Sequence, residues 1–317
     1  MAGSGAVVRA QRPVARTPSR NTHARREARA GWLFASPWLF GLLALTVGPM
    51  LGSLLLSMMH WTFLQPPVFV GFSHYRQLIR DPLIWHALLV TSVYAGLSVP
   101  LQLVIGLGLA TLLNQKLVAR GFFRTLFYVP VVISGVAVAL LWKWIFSPQI
   151  GLLNTVLRWF GLRGPDWLGN PHTAIVALVI MSLWGSGGAM VIFLAGLQGV
   201  PRSLYDAARV DGGTAWTVFR RITIPILSPI ILFVLVMHLI AALQIFTQPF
   251  IMTQGGPNNA TMFYMLYLYQ NAFQMFHLGY ASAMAWLLFV YIIALTLVVF
   301  RSSSLWVYYE GTFGTRP

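Results

Sequence analysis

Residues 224–252 read IPILSPIILFVLVMHLIAALQIFTQPFIM, a stretch without a single Asp, Glu, Lys or Arg. A helix needs about 20 predominantly apolar residues to cross the hydrocarbon core of a bilayer, and this stretch exceeds that length. We therefore interpret it as a membrane-spanning helix.

Five further apolar runs have the same character. Only the third run contains charged residues, Arg124 and Lys143. Each lies close to one end of the run, where a long basic side chain can extend to the membrane interface. The sequence therefore predicts an all-α membrane protein with about six transmembrane helices. The six runs cover residues 33–59, 83–113, 122–146, 173–198, 224–252 and 281–300.

The composition supports a lipid-embedded chain and argues against a soluble one. Of the 317 residues, 57% are hydrophobic and only 9% are charged, whereas a soluble domain carries about a quarter charged residues. The net charge of +15 would suggest a nucleic-acid partner in a soluble protein. In a membrane protein, basic residues mainly set orientation, so we expect no nucleic acid. There are no cysteines, which excludes disulfides and thiolate metal sites.

The placement of Lys and Arg predicts the orientation of the chain. With the N-terminus in the cytoplasm and six crossings, 16 of the 21 basic residues fall on the inner side. Because cytoplasmic loops carry an excess of Lys and Arg, both termini are expected to be cytoplasmic. We expect three regions: a disordered Arg-rich tail at 1–30, a transmembrane domain at 31–301 and a C-terminal tail at 302–317.

A more polar segment separates the fourth run from the fifth. Residues 200–229 read VPRSLYDAARVDGGTAWTVFRRITIPILSP, and the charge distribution places them in the cytoplasm. The S-x-x-D spacing of Ser203 and Asp206 predicts a capping box for a short helix at 203–211. Gly212 and Gly213 are expected to end that helix, and Pro225 to open the fifth span.

Two small residues, Ala207 and Ala208, lie in the middle of this predicted helix. Small side chains let another surface approach closely. A compact helix outside the membrane with such a face is suited to docking a cytoplasmic partner protein.

The spacing in this segment resembles the EAA loop of binding-protein-dependent ATP-binding-cassette (ABC) importers. That pattern is E-A-A, three residues, Gly, nine residues, then I-x-L-P. Here Asp206-Ala207-Ala208 is followed after three residues by Gly212, and nine further residues separate Gly212 from Ile222. Asp206 replaces Glu, and Ile224 replaces Leu. The resemblance implies that the loop at 200–225 docks an ATPase subunit, although Asp206 could also serve only as a helix cap. The implied coupling residues are Tyr205, Asp206, Ala207, Ala208, Asp211 and Gly212.

Other stretches look like the maltose-type sugar permeases of that class. They are GLLN at 151–154, the pair Trp167-Leu168, TQGGPN at 253–258 and WVYYEG at 306–311. The resemblance implies the ABC importer permease fold in a prokaryotic cell membrane. The implied partners are a second permease, two ATPase subunits that hold ATP and Mg²⁺, an extracellular solute-binding protein and a sugar-like solute.

The chain lacks the sequence signs of catalysis. It contains no G-x-x-x-x-G-K-[ST] phosphate loop and no H-E-x-x-H metal motif, so we expect neither enzymatic activity nor a bound cofactor. An ion-driven secondary transporter is the alternative, and a membrane enzyme is a second one. None of the six acidic residues lies within a predicted span, which disfavours a proton relay. His238 is expected to be a neutral, hydrogen-bonded side chain.

Polar residues within the spans suggest a solute path. They are Trp184 and Ser186 in the fourth run, and Gln244, Thr247 and Gln248 in the fifth. Amides and hydroxyls can pair with sugar hydroxyls, and an indole ring can stack on a sugar ring. Gln244 and Gln248, four residues apart, are expected to share one helix face. Hydrogen bonding between helices would explain these residues equally well.

Overall fold

A computed structural model describes residues 20–62, 65–115 and 117–308, with side chains from residue 25 onward. The described residues divide into two compact units, one before and one after the Leu55–Leu56 junction. Residues 1–19 of the predicted N-terminal tail and 309–317 of the predicted C-terminal tail lie outside the described residues.

The first unit contains α1 (Arg20–Leu42), a π-helical turn (Leu43–Val47) and most of α2 (Gly48–Ser57). The prediction of disorder up to residue 30 is therefore wrong for its last eleven positions, which belong to α1. Extending an existing helix costs far less than nucleating one, and Ala, Arg and Glu all favour the helical state. The apolar span thus propagates helix into the Arg-rich segment.

The described residues of the second unit are mainly helical and include one two-stranded sheet. Strands β1 (Met59–His60) and β2 (Val68–Phe69) pair antiparallel, with Met59 opposite Phe69. The helices are α3 (Ser73–Arg80), α4 (Pro82–Leu113), α5 (Arg120–Val132), α6 (Gly135–Ile145), α7 (Leu152–Trp159), α8 (Pro171–Leu183), α9 (Gly187–Gly199), α10 (Arg202–Val210), α11 (Ala215–Val218), α12 (Ile224–Leu243), α13 (Thr247–Met252), α14 (Tyr264–Tyr269) and α15 (Leu278–Ser303). Shorter helical turns occupy Trp184–Ser186, Phe219–Thr223 and Gln270–Gln274.

Among the described residues, five helical stretches are long and apolar enough to cross a membrane, and there are six if a bent helix pair crosses as one span. The prediction of about six spans is confirmed. The five stretches are Arg25–Ser57, Pro82–Leu113, Pro171–Gly199, Ala215–Met252 and Leu278–Ser303.

The third predicted run is not one continuous helix. It forms α5 and α6, which meet at 99°. Ile133 and Ser134 between them have extended backbone, with ψ angles of 139° and 134°. β-branched residues and Ser both lower helix propensity, and Gly135 adds backbone freedom, so the helix breaks here.

α4 is the helix around which the second unit packs, since it contacts α8, α9 and α12. Close approach to α9 requires Gly106, because a Cβ there would lie 2.8 Å from the Ala189 Cβ. The contact with α12 includes a hydrogen bond of 2.8 Å between His238 Nδ1 and Gln102 Oε1. The amide oxygen can only accept, so Nδ1 carries the proton. His238 is hydrogen-bonded, as the sequence predicted.

Candidate coupling segment and solute path

The helix predicted at 203–211 is present as α10, but its start differs from the prediction. Pro201 is the N-cap residue, with φ −58° and ψ 128°, and no side chain caps the helix. The capping box of Ser203 and Asp206 is therefore wrong: the N-cap is Pro201, two residues before Ser203. Asp206 instead forms an exposed ion pair with Arg209 at 3.7 Å, a kind of contact that contributes little stability.

The end of α10 agrees with the prediction for Gly212. This residue has a φ of +76°, a left-handed conformation that side chains disfavour. Gly213 N–H donates to Ala208 O at 2.9 Å, and Gly212 N–H donates to Arg209 O at 3.0 Å. These two bonds form a Schellman motif, which ends a helix sharply and turns the chain away.

The coupling residues inferred from the sequence divide between two faces of α10. Asp206, Ala207, Asp211 and Gly212 are exposed, whereas Ala208 and Tyr205 are half-buried. The exposed face is continued by Val210, whose side chain is 88% exposed. An exposed surface that combines small, apolar and acidic residues on one rigid turn of helix suits contact with another protein.

Tyr205 points towards the fifth span. Its hydroxyl lies 3.3 Å from the Thr223 hydroxyl, at the base of α12. Beside this contact is a cleft of about 380 Å³ between α10, the end of α4 and the helical turn before α12. Its lining includes Asn114, Gln115, Tyr205, Arg209, Phe219 and Thr223.

The fifth span begins earlier than predicted and is broken near its other end. Helical structure already starts at Ala215, ahead of Pro225. α12 ends at Leu243, and the chain restarts as α13 at Thr247. The break places Pro249 in the first turn of α13, where its missing N–H has no helical partner to lose.

This break overturns the expectation that Gln244 and Gln248 share a helix face. Gln244 is exposed and lines an apolar groove of about 630 Å³ between α12, α14 and α15. Gln248 lies next to α6 instead, because a Cβ on Gly135 would be 3.9 Å from Gln248 Nε2 and 4.0 Å from Thr247 Cγ2.

The interruptions in the third and fifth runs lie side by side, and the interruption in the fourth run packs against both helices of the third. Gly135, the first residue after the α5–α6 break, adjoins Thr247 and Gln248. The helical turn Trp184–Ser186 interrupts the fourth run, and the Trp184 ring packs edge-on against Trp142 of α6 at 6.0 Å. Irregular backbone within a membrane is tolerated only where it is buried in protein or lines an aqueous cavity.

We call Ser134, Gly135, Trp184, Thr247 and Gln248 the break cluster. Ser134 is exposed and was not among the residues inferred from the sequence, although a Ser-Gly pair inside an apolar run is a known sign of a break. Ser186, by contrast, is buried: it is 1% exposed and its hydroxyl donates to Leu183 O at 2.7 Å. In this conformation Ser186 is therefore not accessible to a solute.

Comparison with known proteins identifies the family. A sequence profile described as binding-protein-dependent transport system inner membrane component matches residues 102–307. The chain belongs to this family. It is therefore an inner-membrane component with several membrane-spanning helices, and the resemblance noted in the EAA-type spacing is confirmed.

Several permeases of this family are similar over nearly the whole chain. The probable ABC transporter permease protein YesP of Bacillus subtilis is 42% identical over 90% of this chain and 94% of its own. The lactose transport system permease protein LacF of Rhizobium radiobacter is 34% identical over 90% and 98%. The trehalose/maltose transport system permease protein MalF of Thermococcus litoralis is 32% identical over 87% and 94%.

The fold agrees with a solved member of the same class. A chain of a bacterial alginate ABC transporter, in complex with an alginate pentasaccharide-bound periplasmic protein, superposes with a TM-score of 0.77. It is 25% identical, and the match covers 90% of this chain and 97% of that one.

One structural residue of this permease escaped the sequence reasoning. Asp81 caps α4 by accepting from Leu83 N–H at 2.9 Å through Oδ1. Its Oδ2 accepts from the hydroxyls of Tyr267 and Tyr280 at 2.8 and 2.7 Å. Asp-Pro at the head of an apolar run predicts the cap, but the two tyrosines are brought in only by the tertiary fold. Among the described residues, no group of three or more His, Asp or Glu is arranged to hold a metal ion.

Proposed function

We propose that this chain is one of two permease subunits in an ATP-driven importer for a sugar or sugar-like solute. An external solute-binding protein would deliver the solute, and two cytoplasmic ATPase subunits would bind ATP and Mg²⁺. The observation that carries the proposal is the α10 segment: a short exposed helix, ended by Gly212, at the EAA-type distance from the fifth span. The relatives that transport lactose, trehalose and maltose support the solute class.

In this proposal α10 docks on an ATPase subunit. ATP binding closes the ATPase dimer and draws the docking helices of the two permeases together. That movement opens the path outward, the binding protein releases its solute, and hydrolysis resets the pair. This chain contributes coupling and passage, and the free energy comes from the ATPases.

The break cluster is our candidate for part of the solute path. Ser134, Thr247 and Gln248 offer hydroxyl and amide groups next to the non-helical backbone of the breaks. These polar groups can replace the water molecules that hydrate sugar hydroxyls. The Trp184 indole supplies an aromatic surface, although one edge already packs on Trp142. Gln244 lies in the neighbouring groove and is the one amide in an otherwise mainly apolar lining.

The docking role is tested by placing a large cation on the exposed face of α10. We expect Ala207→Arg to abolish co-purification of the co-expressed ATPase subunits and to reduce solute uptake to background, with normal membrane insertion. Ala28→Arg is the matched control, because Ala28 is also an exposed helical alanine but lies in α1. Normal ATPase binding by Ala207→Arg would remove α10 as the docking surface.

The energy source separates an ABC importer from a secondary transporter. In proteoliposomes containing the full complex and the loaded binding protein, we expect uptake to require internal ATP and to persist when ion gradients are dissipated. Uptake that proceeds without ATP and collapses with the ion gradient would instead establish the secondary transporter. A panel of sugars tested for binding to the partner solute-binding protein identifies the solute.

A further inference from the structure

α10 has few attachments to the rest of the permease. Val200 and Pro201 join it to α9, and residues 211–214 join it to α11. Within the described residues, one side-chain hydrogen bond connects α10 to the helix of the fifth span: Tyr205 with Thr223, at 3.3 Å between hydroxyl oxygens. The ion pair of Asp206 with Arg209 lies within α10 itself.

The space around this bond leaves room for α10 to shift. A cleft of about 380 Å³ borders Tyr205 and Thr223, so the docking helix does not pack flat against the fifth span. A force applied to the exposed face of α10 therefore reaches the span through the covalent connections and through the Tyr205 side chain. Thr223 is 5% exposed, so the Thr223 side of this hydrogen bond is held inside the protein.

The receiving residue also occupies an unusual place in the helix. Thr223 is the last residue of the π-helical turn Phe219–Thr223, and Pro225 follows two positions later. Proline removes one backbone hydrogen bond and crowds the carbonyl four residues earlier, which the wider turn accommodates. The same arrangement, a π-helical turn two residues before proline, occurs at Leu43–Val47 ahead of Pro49. Such an interruption is a natural joint in a long helix.

We propose that Tyr205 and Thr223 are positioning residues that transmit movement of the docking helix to the fifth span. Neither touches solute or ATP. Tyr205 carries the displacement of α10, and Thr223 receives it at the joint from which α12 runs to the break cluster. This inference rests on the proposed docking role of α10.

The test uses the full transporter complex in proteoliposomes and measures solute uptake per ATP hydrolysed. Tyr205→Phe and Thr223→Val each remove one hydroxyl, and Thr223→Ser retains it. Because a neutral hydrogen bond is modest, we expect each hydroxyl deletion to lower this ratio about threefold to tenfold. ATPase co-purification and melting temperature should stay at wild-type values, and Thr223→Ser should restore the ratio.

Two comparisons make the result specific. The double variant should be no worse than either single variant, because both remove the same bond. Thr217→Val is the matched control: its hydroxyl bonds to Thr214 within the same segment and does not reach α10. A wild-type ratio in both hydroxyl deletions, or additive losses in the double variant, would overturn the proposal. Failure of the unmutated complex to import with ATP would instead refute the proposed function itself.

Discussion

Gln244 is a polar residue in an apolar place. It directly follows α12 and lines the groove between α12, α14 and α15, where most neighbours are aliphatic or aromatic. Within the described residues its side chain makes no hydrogen bond, so it does not bridge two helices in this conformation. In the proposed solute path, this amide is available to bond a hydroxyl of a polar solute.

Replacing Gln244 by Leu should therefore separate transport from stability. We expect uptake by Gln244→Leu to fall about fivefold or more, since losing the partner of a desolvated hydroxyl costs about 1–3 kcal/mol. The melting temperature should not fall. Gln102→Leu is the matched control, because Gln102 bonds to His238 between helices. That variant should lower the melting temperature, with uptake falling only in proportion. Wild-type uptake by Gln244→Leu would exclude Gln244 from the path.

Single residues were predictable where local backbone geometry decides their role. Gly212 could be predicted because few other residues tolerate a φ of +76° at the end of a helix. The capping role of Ser203 could not, since Pro201 offered an earlier start that the S-x-x-D pattern does not weigh. Tyr205 was grouped with the docking residues by spacing alone. Its orientation towards Thr223 depends on where α10 lies relative to α12, which only the fold reveals.

At the scale of elements, the β1–β2 hairpin, α3 and the start of α15 meet around three histidines. His74 of α3 is 6% exposed and donates from Nε2 to Met59 O at 3.2 Å. Its ring stacks with His60 at 6.0 Å and meets Tyr280 edge-on at 6.1 Å. His277 and Gln77 line the same cavity of about 100 Å³ as these residues. Burial, and then the neighbouring His60 and His277, hold the pKa of His74 below its usual value.

This lowered pKa predicts that acid loosens the contact between these elements. In the closed state of this contact the elements pack around His74, and in the open state His74 is exposed to water. Above about pH 6.5, the ordinary pKa of histidine, His74 is neutral in both states and does not change the balance between them. Below that pH the open state binds a proton more readily, so the closed state loses stability as the pH falls towards the lowered pKa. Hydrogen exchange of residues 65–80 should accelerate between pH 7.5 and 5.5.

The control is His74→Gln, which keeps a hydrogen-bond donor but does not titrate. It should show the same exchange in this segment at both pH values, after correction for intrinsic exchange rates. An equal acid response in the wild-type protein and in His74→Gln would contradict the assignment to His74.

Whole elements were easier to predict than their continuity. Apolar composition over about 20 residues signals a span regardless of whether the helix is straight. Apolar composition does not reveal the breaks at Ile133–Ser134 and at residues 244–246. These residues can lie within a membrane protein whether or not the helix is continuous there. Pro249 and the Ser134-Gly135 pair were the available signals. The two breaks adjoin one another because α6 packs on α13. This contact joins residues far apart in the sequence, so no local sequence pattern could predict it.

At the scale of the whole molecule, the bent pair α5–α6 decides how many times the chain crosses the membrane. If the pair crosses, there are six spans, and 16 of the 21 Lys and Arg residues lie on the side of the N-terminus. If it re-enters on the same side, there are five spans, and the bias falls to 13 of 21. Five spans would also place α10 outside the cell, away from any ATPase. The excess of Lys and Arg on one side and the proposed docking of α10 on a cytoplasmic ATPase therefore both favour six crossings.

We accordingly expect both termini in the cytoplasm, and a topology reporter can test this. A reporter that is active only in the cytoplasm, fused after Pro317, should be active. The same reporter fused after Gly169, between α7 and α8, should be inactive, because that segment follows the bent pair and faces outward if the pair crosses. The two fusions are interpreted together. A re-entrant pair would make the Pro317 fusion inactive and the Gly169 fusion active, and it would not change the side of the membrane on which the segment before α5 lies. A stable but inactive fusion at Pro317, combined with an active one at Gly169, would establish five crossings and would place the α10 segment on the wrong side for ATP-driven coupling.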